Sequence, residues 1–143
     1  MKIVYIYYNH SSKGVITVKF EYYQPNPVSP NEDDCVIRAI CKATGKDWDT
    51  VYMELSAEGM KKGTWGNVNH VWDSYLRSSG YKRHTVPDTC PDCYTVAQFA
   101  VDHPQGTYIL ATGSHAVTVQ NGNVYDVFDS RQKVPIYYYE KEQ

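Results

Sequence analysis

Three prolines crowded into Gln24-Pro25-Asn26-Pro27-Val28-Ser29-Pro30 limit the possible folds more than any other stretch. Proline fixes φ, lacks an N–H and pushes the residue before it out of the helical region, so this stretch can be neither a helix nor a central strand. It reads as an extended connector. Before it, residues 2–8 and 15–22 alternate β-branched or aromatic residues around the polar Asn9-His10-Ser11-Ser12-Lys13-Gly14, which predicts a hairpin. After it the chain arrives at Asp33-Asp34-Cys35.

From there the period changes from two to 3.6. Val36, Ala39, Ile40 and Ala43 are spaced as one face of a helix that stops at Gly45, with Asp33 or Asp34 as the natural N-cap. Asp47 caps a second helix bearing Trp48, Val51, Tyr52 and Leu55, and a third carries Val68, Val71, Trp72 and Tyr75 and ends before Gly80. Thr95 and Gln98 form a capping-box pattern for a fourth, which ends before Pro104-Gln105-Gly106. Residues 107–112, 115–120, 123–129 and 134–140 then read as strands, with Asn121-Gly122 as a two-residue hairpin turn. Strands, helices and then an antiparallel run of strands predict an α+β fold. At 143 residues, 1–143 is expected to be one domain around one core.

Charge narrows the function. The formal net charge is −2 and Lys and Arg are scattered, so no basic stripe marks a nucleic-acid surface. No stretch approaches the ~18 apolar residues of a membrane span, and the N-terminal apolar run is too short for an export signal. A cytoplasmic location is expected. Four cysteines in that setting read as free thiols, a metal site or a catalytic group more readily than as a disulfide framework.

Cys35 would sit in the first turn of a helix, where unpaired N–H groups and the helix dipole favour a thiolate. Asp33 and Asp34 push the other way, so a cationic partner is needed. A buried structural cysteine is the plain alternative. Of the five histidines, His115 alone opens an apolar strand, after Gly113-Ser114, where a glycine permits close approach. With Asn121-Gly122 as the turn, Gln120 pairs with Asn123, Val119 with Val124 and Thr118 with Tyr125. Asp126 then falls diagonal to His115 on the same face, within hydrogen-bond reach. A one-residue bulge would exchange it for Asp129, which is therefore held in reserve. Nucleophile, base and orienting carboxylate form the arrangement of activated thiol catalysis.

The segments Asp34-Cys35-Val36-Ile37-Arg38-Ala39-Ile40, Thr95-Val96-Ala97-Gln98-Phe99-Ala100 and His115-Ala116-Val117-Thr118-Val119 resemble those of the papain-like cysteine peptidases, in particular the minimal versions in phage and mobile-element proteins. The resemblance runs from about Asn31 to Asp129. It implies a papain-like fold, Cys35 as nucleophile, His115 as base, Asp126 as orienter and no cofactor, acting on a peptide or isopeptide bond. The Cys-to-His separation is shorter than in papain, which implies an abbreviated cleft. The glutamine that such enzymes place before the cysteine is missing, and Asn31 is the nearest candidate to donate to the oxyanion beside the N–H of Cys35. A non-catalytic binding protein on the same scaffold, directed at a host protein, is the rival.

Cys90-Pro91-Asp92-Cys93 is a lone CxxC, read first as a structural loop and then as a metal or disulfide pair. Trp65-Gly66-Asn67 reads as an exposed loop that could border a cleft.

Overall fold

The structure, a computed structural model, describes residues 6–8, 15–29 and 32–143. Chain order is β1 (Ile6–Tyr8), β2 (Val15–Thr17), β3 (Phe20–Tyr22), α1 (Cys35–Thr44), α2 (Trp48–Lys61), α3 (Asn69–Ser78), β4 (Tyr81–Thr85), α4 (Val96–Asp102), β5 (Thr107–Ala111), β6 (Ala116–Gln120), β7 (Asn123–Asp126) and β8 (Tyr137–Lys141). This is an α+β architecture: four helices and a six-stranded mixed sheet in the order β3-β7-β6-β5-β8-β4, beside a two-stranded antiparallel ribbon of β1 and β2.

The expected hairpin is present in its strands, while its turn, residues 9–14, lies outside the described residues. Its second strand does not run to residue 22. Val18 turns fully into the core, and the chain re-enters the sheet as β3, parallel to β7. The late strands are not a simple meander either. β8 pairs antiparallel with β5 on one side and with β4 on the other, so the strand after β7 returns across the sheet.

The helices follow from their caps. The Asp47 carboxylate accepts the Thr50 N–H at 2.8 Å to start α2, and the Thr95 hydroxyl accepts the Gln98 N–H at 3.2 Å to start α4. Gly45, at φ +76°, closes α1 by donating its N–H to the Cys41 carbonyl at 2.9 Å. Asp34 takes the N-cap position of α1 without capping it through its side chain, contrary to the usual role of an aspartate there.

Both faces of the sheet are covered. Ile37 and Ile40 of α1, Val51 and Leu55 of α2, and Trp72 and Leu76 of α3 pack with Ile109, Ala111, Ala116 and Tyr139. On the other face Phe99, Ala100 and Val101 of α4 meet Leu110, Val117, Val119 and Val124. Successive β5 residues, Ile109 and Leu110, therefore serve different layers, as the two-residue period of a strand requires. Emptying either site by truncation to alanine would cost about 2–5 kcal/mol. No helix among the described residues is long and apolar enough to cross a membrane.

Candidate active site

The helix that begins at Cys35 is fastened to the strands next to His115 and Asp126. The buried Thr118 hydroxyl of β6 donates to the Ala39 carbonyl of α1 at 2.7 Å. That bond sets the start of α1 against the start of β6, and so Cys35 against His115. The turn before β6 is closed by the Thr112 N–H donating to the His115 carbonyl at 2.8 Å, which fixes the backbone of the histidine.

The register around Asn121-Gly122 is the one the turn chemistry predicts: Gln120 with Asn123, Val119 with Val124, Thr118 with Tyr125. Both turn residues have positive φ, +49° and +76°, as a two-residue hairpin of this kind needs. β7 ends at Asp126, whose Oδ2 lies 2.6 Å from His115 Nε2. The same oxygen accepts the Ser130 hydroxyl at 2.7 Å, and Oδ1 accepts the Val127 N–H at 2.8 Å. With Nε2 committed to the carboxylate, Nδ1 is the ring nitrogen left for Cys35, whose thiol is held below its usual value in part by His115. The Phe128 ring lies 4.8 Å from the imidazole, centre to centre.

Asp129, the reserve carboxylate, is not beside the histidine. It accepts from Arg131 Nε at 2.9 Å and Nη2 at 2.8 Å, because the chain leaves the sheet after Asp126 and turns Asp129 onto the side chain two residues on. Asn31 lies outside the described residues. Cys90 and Cys93 are joined in a disulfide in the loop before α4, the disulfide alternative of the CxxC reading and not the free thiols or metal pair expected of the cysteines at large. Their closeness in sequence allows the bridge, and among the described residues no group of three His, Cys, Asp or Glu side chains could hold a metal.

The carboxylate beside Cys35 is disposed of in an unexpected way. Asp34 is buried, and its side chain accepts from Arg38, from Trp48 Nε1 at 2.9 Å and from Asn26 Nδ2 at 3.0 Å. Arg38 is buried too, and its Nη2 reaches Asp126 Oδ1 at 3.4 Å. The first-turn N–H groups of α1 are thus left unclaimed by an N-cap side chain.

The electrostatics follow from these contacts. Burial pushes the Cys35 thiol up, but the His115 hydrogen bond, the Ala116 N–H and the positive charges of His115 and Arg38 together hold it below its usual value. Burial pulls His115 down, yet its bonds to Asp126 and Cys35 and their negative charges push it up to about 9. Burial would raise Asp126, and the bonds from His115, Ser130 and the Val127 N–H keep it low and ionised. Each of these shifts favours the charged form of its group: thiolate, imidazolium and carboxylate.

Cys35 and His115 face a cleft of ≈ 570 Å³ lined also by Trp72, Phe128, Asn67 and Asn69. A second groove of ≈ 680 Å³ adjoins it, sharing Glu32, Asp33 and Asn67 and walled by Trp48, Tyr52, Leu55 and Trp65. Trp65 is 80% exposed on a loop laid directly on α2: a Cβ on Gly66 would come within 2.9 Å of the Leu55 carbonyl carbon, and one on Gly59 within 2.6 Å of the Thr64 carbonyl oxygen. Asn67 lines both clefts, as expected of its exposed loop, while Arg38, Ser130 and Asn69 have no role in the sequence reading. Only Arg38 carried a local signal, its i, i+4 spacing from Asp34.

No protein-family model matches this chain, and neither a curated protein nor a solved structure matches it.

Proposed function

We propose that this chain is a thiol hydrolase of the papain-like kind, resembling the minimal phage and mobile-element members, that cleaves a peptide or isopeptide bond. The observation that supports this reading most is the set of Cys35, His115 and Asp126, with His115 Nε2 held 2.6 Å from Asp126 Oδ2 and Cys35 and His115 lining one cleft. The Cys35 thiolate attacks the carbonyl carbon, and the tetrahedral oxyanion is met by the Cys35 N–H and a cleft carboxamide. Collapse breaks the C–N bond, the leaving amine takes the proton from His115, and an acyl thioester remains on Cys35. Water then adds to the thioester, His115 takes its proton, and the acid leaves as the thiolate is regenerated. Asp126 keeps the imidazole oriented and balances its charge throughout.

The two adjoining clefts favour an extended polypeptide over a small amide, since they offer room on either side of Asn67. The exposed Val28, Tyr52 and Trp65 beside them favour a second reading, a binding protein that grips a host partner with this surface. Turnover separates the two. A mixture of fluorogenic peptides and Lys-linked isopeptides should be hydrolysed by the wild type and at least ~10³-fold more slowly by Cys35→Ala of unchanged circular dichroism. Equal rates in the two proteins would sink the hydrolase, and a Cys35→Ala protein with full biological effect would leave binding as the function.

A further inference from the structure

Arg38 stands outside the three catalytic groups yet touches two of the charges around them. It is 6% exposed, lies one turn after Cys35 on the same helix, and bonds the Asp34 carboxylate through Nη1 while Nη2 reaches Asp126 Oδ1 at 3.4 Å. Its Nε makes no hydrogen bond to another described residue. A guanidinium this deep is a poor choice for packing alone, because burying an ion costs several kcal/mol that one pair of contacts does not obviously return. The charged groups packed around it come from three elements: Asp34 and Cys35 at the start of α1, His115 before β6, and Asp126 at the end of β7. Read in space they alternate in sign, from Asp34 to Arg38 to Asp126 to His115 to Cys35, and the two ends of the series are neighbours in the chain.

We propose that Arg38 is a positioning residue of this site: it ties the nucleophile's helix to the orienting carboxylate and cancels the Asp34 charge that would otherwise oppose a thiolate at Cys35. This rests on the reading of Cys35 and His115 as a working pair and extends it. Three features fit no simpler role. Asp34 spends its side chain on Arg38, Trp48 and Asn26 instead of on the helix end it is placed to cap. Arg38 has its own line of charge to Cys35 as well as through Asp126. An arginine, with its planar fork, can bridge two carboxylates on different elements at once, which a lysine cannot do in the same geometry.

The test reads Cys35 itself and needs no substrate, so it can succeed where the hydrolase reading fails. Full-length wild type, Arg38→Met, Arg38→Lys, Asp34→Asn and the Arg38→Met/Asp34→Asn double variant are labelled with limiting iodoacetamide from pH 5 to 9, and Cys35 is read by peptide mass mapping. The expected result is that Arg38→Met moves the labelling midpoint upward by about one pH unit, slowing Cys35 about tenfold near pH 6, since one unit is a tenfold change in thiolate. Arg38→Lys should restore part of that rate. The double variant should label faster than Arg38→Met alone, because removing Asp34 removes the charge left uncancelled. A purely structural role would lower the melting temperature of the double variant without restoring its labelling profile. Unchanged profiles across the series, or a double variant as slow as Arg38→Met, would overturn the proposal. If Arg38→Met does not fold, Arg38→Lys decides it: a wild-type profile there overturns the bridging role.

Discussion

Cys35 and Cys41 share one helix and lie in opposite electrostatic surroundings. Cys41 is 1% exposed in the layer formed with Leu55, Trp72 and Tyr139, and burial first, then the nearby Asp47 and Asp34 charges, push its thiol up to about 12. Cys35 opens onto the cleft, and hydrogen bonding from His115 and the Ala116 N–H, with the charges of His115 and Arg38, outweighs its own burial. Membership of the helix alone therefore does not set a thiol's pKa here. What differs is the His115 and Arg38 charge and the Ala116 N–H of β6 at Cys35, against burial and two carboxylates at Cys41.

The largest break in this contrast should come from His115→Ala. Removing both the hydrogen bond and the charge should make Cys35 label as an ordinary thiol, about 10–100-fold more slowly near pH 6, while Cys41 stays unlabelled in the folded protein. Mass mapping of both cysteines in one sample checks this, with Cys41 as the internal control for folding. Rapid Cys35 labelling in His115→Ala would assign the activation to the helix end instead.

Ser130→Ala is a gentler perturbation. It takes one of the four hydrogen bonds at the Asp126 carboxylate and leaves the His115 bond in place. The expected cost is about 1 kcal/mol in stability by urea titration and a several-fold fall in turnover, by the usual worth of one buried hydrogen bond. A fall as large as that of His115→Ala would show that the serine acts directly. Cys41→Ser sharpens the contrast from the other end: it buries a hydroxyl in an apolar layer and should cost about 1–3 kcal/mol, yet leave the pH profile of Cys35 unmoved. A shifted Cys35 profile in that variant would mean the two positions are coupled through the helix.

Much of this contrast could be read in the sequence, and the parts that could not have physical reasons. The helix of Cys35, its Gly45 stop and the strand of His115 follow from period and punctuation. Asp126 follows from the register that Asn121-Gly122 imposes, and the structure places it on His115 while Asp129 goes to Arg131. β4 escaped because Tyr81-Lys82-Arg83-His84-Thr85 is mostly polar and exposed, as an edge strand tolerates, and its pairing with β8 is a long-range event. The return of β8 to β5 is equally non-local. Arg38 escaped because a buried cation is indistinguishable from a surface one until the carboxylates on other elements are in place. Asp34 misled for the same reason, since cap propensity is local and its partners Trp48 and Asn26 are not.

A thiolate–imidazolium pair of Cys35 and His115 would show itself plainly in a titration followed by nuclear magnetic resonance. Protein carrying ¹³C at the cysteine Cβ and ¹⁵N in the histidine rings is followed from pH 4 to 10. His115, raised to about 9, should keep its proton through neutrality and lose it as pH rises through that value, while the Cys35 signal should change at a pH below that of an ordinary thiol. The pair then exists between those two steps, and turnover should rise with the first and fall with the second. Because the folded pKa of His115 is raised, its contribution to stability is complete below about 6.5 and drains away toward pH 9. A His115 ring that deprotonates near 6.5, with a Cys35 that ionises only where ordinary thiols do, would contradict the account.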